Sequence, residues 1–158
     1  MVNLAEGIGQ LLKDRQLTLG VVESATGGLI AHLITSVAGS SSYFRGSVTA
    51  YNDDIKTAVI GVNKATLNRY GAVSPQVAEE MALGGKKILG VDICLSDTGI
   101  AGPNGATLGK PVGLFYLGLS HRDVVYHRKH IFRGDRLQNQ ASAAHAALEW
   151  LEEHLKNL

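Results

Sequence analysis

Apolar residues recur along this chain with two different periods, and the switches between them mark out its elements. Leu4, Ile8, Leu11 and Leu12 fall at helical spacing, which predicts a helix over residues 3–15. "LTLGVVES" (17–24) is a short β-rich run and reads as a buried strand. "TGGLIAHLITSV" then sets Ile30, Leu33, Ile34 and Val37 at i, i+3, i+4 and i+7, a helix face, with Thr26 as its N-cap and Gly27 and Gly28 in its first turn. "GSVTAYN" (46–52) reads as a second strand, and "DIKTAVIG" and "ATLNRYG" as short helices. Ser74-Pro75 opens a longer helix, the Ser as cap and the Pro in the first turn, with Val77, Met81 and Ile88 on its buried face. "VDICLSD" (91–97) is a third strand, followed by a glycine-rich loop from Gly99 to Lys110. "VGLFYLGLS" and "VVYHRKHIF" flank "HRD" as a hairpin. Leu137, Ala141, Ala144, Leu148, Leu151 and Leu155 step by four and three, which predicts a C-terminal helix.

Helices and strands alternate early and a hairpin comes late. That order predicts an α/β fold: a three-layer α/β/α sandwich around a mixed, mostly parallel five-stranded sheet. The length of 158 residues, with no linker, fits one domain over 1–158 with a core of its own. Apolar residues at 45% and charged residues at 18% exclude a disordered chain. The net charge of +1 argues against a nucleic-acid binder, although "HRDVVYHRKHIFRGDR" (121–136) gathers base locally. That run reads as a solvated strand pair, or as an anion contact through one of its arginines. Cys94 is the one cysteine and sits in an apolar run, so it reads as a buried small hydrophobe in a reducing compartment. No stretch has the length of a membrane span and no signal-peptide core is present, so the expectation is a cytoplasmic protein with no membrane partner.

In sheets of this kind, sites gather at strand ends and at the loops leading into helices. Three loops stand out: 23–28, 38–46 and 98–111. In "ESATGG" (23–28) a strand, a turn and a glycine-started helix line up backbone N–H groups as an anion site, to which Ser24 and Thr26 add hydroxyls. An ordinary capped helix start explains the same residues. No Lys-Ser/Thr pair follows the glycines, so this is not a P-loop. "AGSSSYFRGSVTAYNDDIK" (38–56) supplies Ser41, Tyr51 and Lys56, side chains suited to nucleophilic acyl transfer. All six histidines lie outside these loops, so a lysine with a lowered pKa is the more accessible base. In "DTGIAGPNG" (97–105), Thr98 and the amides from Gly99 onward offer donors to an amide oxygen, a phosphate or an oxyanion.

Taken in order, "ESATGG", "AGSSSYFRGSVTAYNDDIK", "GAVS", "TGIAGPNG", "KPVG" and "GDR" closely resemble the CinA C-terminal domain family, from about Leu4 to Leu155. The family includes stand-alone bacterial nicotinamide-nucleotide amidohydrolases (NMN deamidases). The quoted residues match that domain alone, so the expectation is a chain without the amino-terminal domain of full-length CinA proteins. The resemblance implies a three-layer α/β/α fold and hydrolysis of the carboxamide of NMN to nicotinic acid mononucleotide and ammonia, with no metal or other cofactor. It implies Ser41 as nucleophile, Lys56 as general base and Tyr51 as its assistant, with Ser24 and Thr98 as further active-site hydroxyls. This form of the reaction requires the Ser41 hydroxyl within proton-transfer reach of the Lys56 amine. Amides near Gly27–Gly28 or Gly99–Ala101 would hold the oxyanion, and Arg45, Arg136 or Lys110 the phosphate. A homodimer is expected from the resemblance and from the commonness of twofold assemblies.

The chain departs from the family pattern in three places. Ala25 stands for a cysteine in "SATGG", Asn104 and Ala106 for an acidic residue and a glycine in "GPNGA", and Gln138, Asn139 and Gln140 follow "GDRL" where family members tend to carry arginines. The missing arginines leave open a second reading: a non-catalytic module on the same fold that binds pyridine nucleotides.

Overall fold

The computed structural model describes residues 2–158. Helix α1 (Val2–Arg15) leads into β1 (Leu19–Glu23), α2 (Leu29–Thr35), a 3₁₀ turn at Ser40–Ser42 and β2 (Phe44–Thr49). One helical turn, α3 (Asp53–Ile55), widens into a π-type stretch at Lys56–Ile60 and precedes α4 (Lys64–Tyr70) and α5 (Pro75–Leu89). Strands β3 (Ile93–Gly99), β4 (Leu114–His121) and β5 (Val124–Ile131) and helix α6 (Arg136–Lys156) complete it.

The five strands form one sheet in the order β2-β1-β3-β4-β5. β1 pairs in parallel with β2 and β3, while β4 pairs antiparallel with β3 and β5. Four strands therefore point one way and β4 alone runs against them, a mixed and mostly parallel sheet as predicted. Its faces are filled separately. Helices α1, α2 and α6 pack together on one face over Leu19, Val21, Ile93, Leu95, Leu117 and Leu119. α5 covers the other through Val77 and Met81, against Val22 and Cys94. The Cys94 thiol is buried, and that burial pushes it up to about 12, the behaviour of an inert hydrophobe.

Packing of α5 onto the sheet depends on residues without side chains. A Cβ on Gly118 in β4 would overlap Ser96 Oγ and the Ala78 carbonyl, which are bonded to each other at 2.6 Å. Backbone cannot step aside as a side-chain tip can. Gly118→Val is expected to cost about 3 kcal/mol, read as a lowered denaturation midpoint at unchanged m-value.

Two helix positions differ from the sequence pattern. Ile88 is 49% and Leu137 74% exposed, each in a terminal turn of its helix, although Leu89 beside Ile88 still packs against β1 at Gly20. Thr26 does not cap α2 either: Gly28, at φ 103°, is the N-cap, and the helix begins at Leu29. The basic run 121–136 is largely a solvated strand pair. Its Arg128 binds Glu153 through two nitrogens at 3.1 and 2.9 Å and lies over the Trp150 ring.

The last turns of α6 dock through a histidine pair. His121 Nδ1 and His154 Nε2 lie 2.8 Å apart, a hydrogen bond that needs a neutral acceptor ring. Burial, and then for His121 the neighbouring His154, hold both rings below the usual histidine value. The unfolded chain thus takes up more protons. The stability these rings contribute is present above about pH 6.5 and is lost as pH falls from there through their folded values. A denaturation series across that window is expected to show the loss in the parent and a smaller one in His154→Phe.

Candidate active site

Ser24, Lys56 and the loop after β3 all follow the carboxyl ends of parallel strands, where an open α/β sheet leaves a crevice. There a cleft of about 250 Å³ is lined by Ser24, Ala25, Tyr51, Asp53, Lys56, Thr98, Gly99, Asn104 and Arg136, with residues 72–73, 100–102 and 105 along its walls.

Lys56 is the centre of this cleft. Its side chain is only 2% exposed, because the π-type turn points it inward beneath Tyr51. Nζ donates to Ser24 Oγ at 3.0 Å and to the Tyr51 carbonyl at 3.2 Å. Asp53 Oδ1 is 3.8 Å away. Burial lowers the Lys56 pKa, and the charge of Asp53, with that of Asp97 when it is ionised, only partly restores it. A lysine so placed reaches the neutral state a general base requires more easily than a solvated one.

Ser24 follows β1 and is held by its main chain. Its N–H donates to Asp97 Oδ1 at 2.9 Å, and that of Thr26 to Asp97 Oδ2 at 3.1 Å. The Ala25 amide between them has no acceptor among the described residues. Asp97 is fully buried in β3, and burial raises its carboxyl to about 6. Helix α6 braces the same turn. Gln140 Nε2 donates to the Ala25 carbonyl at 2.9 Å, and buried Asn139 donates to the Ala101 and Gly134 carbonyls and accepts the Gly134 N–H. Gln138 completes a capping box with Asp135. Of the three polar residues that stand where arginines were expected, Gln138 caps the helix, and Asn139 and Gln140 fasten it to both walls of the cleft.

The Ser41–Lys56 pairing is overturned. Ser41 lies exposed in the 3₁₀ turn before β2, whereas Lys56 follows β2. Six strand residues at about 3.3 Å each put them roughly 20 Å apart along the sheet. The error lay in grouping loop 38–46 with the other two: a loop that enters a strand sits at the opposite end from one that leaves it. Arg45 falls with it, being exposed near the start of β2 and outside the cleft. Gly27 and Gly28 do not line the cleft, and the Gly27 N–H is taken by the Ser24 carbonyl. Thr26 is 3% exposed and its hydroxyl meets Glu23 and Asp97, so it faces no substrate.

The remaining positions converge. Thr98 lines the cleft, its hydroxyl donating to the Ala72 carbonyl at 2.7 Å, and Gly99 follows it. Arg136 reaches across the mouth, donating to the Gly102 carbonyl and to the Tyr51 hydroxyl, both at 2.8 Å. Tyr51 thus meets Lys56 through its carbonyl, and its 58% exposed side chain faces Arg136. Lys110 spends its ammonium on the Tyr70 carbonyl. Among the described residues, no three His, Cys, Asp or Glu side chains gather as a metal site, and no helix is long and apolar enough to cross a membrane.

Known proteins share this arrangement of chain. The model of the CinA C-terminal domain matches residues 1–155. A CinA-like protein of Syntrophomonas wolfei is 49% identical over 139 residues, 88% of this chain and 33% of that protein. One of Thermotoga maritima is 43% identical over 153 residues, 97% of this chain and 37% of its own length. The chain therefore spans well under half the length of these relatives. Among solved structures, a competence-damaged protein (CinA) superfamily protein of Klebsiella pneumoniae matches with a TM-score of 0.96 at 29% identity, over 99% of this chain and 98% of the other. The competence/damage inducible protein CihA of Agrobacterium tumefaciens matches at 0.94 and 35% identity, over 98% and 94%. With the family model matched along nearly its full length and the same fold recurring in these structures, the chain belongs to the CinA C-terminal domain family.

Proposed function

We propose that this chain is an amidohydrolase that converts NMN to nicotinic acid mononucleotide and ammonia, with Ser24 as nucleophile and Lys56 as general base. The observation that carries the reading is the 3.0 Å contact between Lys56 Nζ and Ser24 Oγ inside a cleft, with the amine buried. With Lys56 neutral, the same contact can run from the hydroxyl to the amine. Ser24 Oγ gives its proton to Nζ as it bonds to the carboxamide carbon, and the carbonyl oxygen takes the negative charge. The Ala25 amide, one residue after the nucleophile and without an acceptor among the described residues, is suited to hold that oxygen. The tetrahedral species collapses as the C–N bond breaks. The Lys56 ammonium hands its proton to the departing nitrogen, and ammonia leaves an acyl ester on Ser24. Water then attacks the ester, Lys56 again taking a proton and returning it to Ser24 Oγ as the acid departs. In this reading Thr98 and Gly99 border the pyridine ring, and Arg136, at the mouth, faces the phosphate.

The test is direct. Purified protein is incubated with NMN and ammonia is measured against a Ser24→Ala control. Release above that control supports the hydrolase. NMN binding without release supports instead the non-catalytic module, and neither outcome leaves no pyridine-nucleotide role.

A further inference from the structure

The hydroxyl of Thr26 lies between two buried carboxyl groups. Its Oγ1 is 2.6 Å from Glu23 Oε1 and 2.5 Å from Asp97 Oδ1, and both acids are fully buried. Each carboxyl oxygen also has an amide donor. Ile30 and Ala31 donate to Glu23 at 2.8 and 3.0 Å, and Ser24 and Thr26 to Asp97 at 2.9 and 3.1 Å. Proton counting then becomes informative. A hydroxyl owns one hydrogen, so it can satisfy one of the two short oxygen–oxygen contacts. The other joins lone pair to lone pair unless a carboxyl supplies a second proton, and two ionised acids this close in a dry interior repel.

We propose that Glu23, Thr26 and Asp97 form a chain sharing one extra proton, in which Asp97 is a neutral carboxylic acid that donates to Thr26 while Thr26 donates to Glu23. This deepens the Ser24–Lys56 reading and rests on it for its catalytic meaning. Asp97 acts as a positioning residue. It holds the amides on both sides of the Ala25 peptide and so aims Ser24 Oγ at Lys56. At and below about pH 6, as a neutral acid, it also spares Lys56 a second anionic neighbour, which favours the free amine. The elevated Asp97 value, set first by burial and further by Glu23, agrees with this placement of the proton. The other titratable groups facing the site are Lys56 from the turn after β2, Asp53 beside that lysine, and Arg136 from the first turn of α6, at the cleft mouth. The remaining α6 residues that reach the loops, Asn139 and Gln140, are neutral.

Infrared spectroscopy of protein carrying ¹³C-carboxyl aspartate tests the chain without any substrate. Near pH 6 an ordinary aspartate, with its value of about 3.9, is ionised. A protonated-carboxyl band there, shifted by the aspartate label, retained in Thr26→Ser and displaced in Thr26→Val, is the expected result. Absence of the band in the parent, or a band that ignores the label and so belongs to Glu23, overturns the proposal. On the hydrolase side, Asp97→Asn is expected to lower kcat about tenfold with KM nearly unchanged and to move the pH profile, with Asp97→Ala losing more. If the label-sensitive band is present but NMN is inert, the proton chain stands and the hydrolase reading fails. Should the Asp97 variants not fold, the parent spectrum and the Thr26 pair still decide the matter.

Discussion

Ser24→Ala is expected to reduce ammonia release from NMN by about a thousandfold or more, while Ser41→Ala leaves it within about twofold. The difference follows from position. Ser24 Oγ is the one hydroxyl bonded to Lys56 Nζ, and its loss removes the atom that would carry the acyl group. Ser41 is at the other end of β2, exposed in a turn, and its removal touches neither the cleft nor the core. Neither change should move the melting temperature by more than a degree or two, because no buried apolar contact is lost. A Ser41→Ala enzyme as dead as Ser24→Ala would reject the assignment made from this structure.

Lys56→Met separates function from stability. The same thousandfold loss is expected in the ammonia assay, since Ser24 would face no base. The folded state should melt at the same temperature or higher. A buried lysine must give up the solvation of its amine, and Asp53, the carboxylate closest to it, is itself 62% exposed and 3.8 Å away. A methionine of similar length fills the channel without that cost. Activity lost together with several degrees of melting temperature would instead make Lys56 a structural pin.

The amphipathic periods carried the fold: the helices on both faces, the strands and the β4–β5 hairpin all lie near where the apolar spacing puts them. Periodicity was blind to which terminal-turn positions lose their cover, as at Ile88 and Leu137. The site was legible as a set of loops but not as a set of contacts. Lys56, Tyr51, Ser24, Thr98 and Arg136 do meet, yet pairing Lys56 with Ser41 ignored the direction of the strand between them. Asp97 was missed as a partner of the Ser24 turn, although an acid ending the apolar run "VDICLSD" signals a buried carboxyl. Asn139 and Gln140 read as losses against the family pattern. Their anchoring of two distant loops depends on where α6 docks, which no local spacing reveals.

That anchoring has a consequence for the order in which the protein becomes competent. Residues 139 and 140, which follow all five strands in the chain, hold the carbonyls of Ala101 and Ala25. A fragment with the sheet complete but α6 not yet docked would keep the Asp97 hold on the Ser24 turn and lack the α6 brace on both loops. Turnover would then begin only once α6 has docked, so activity would report on the seating of that helix and not on the completion of the sheet.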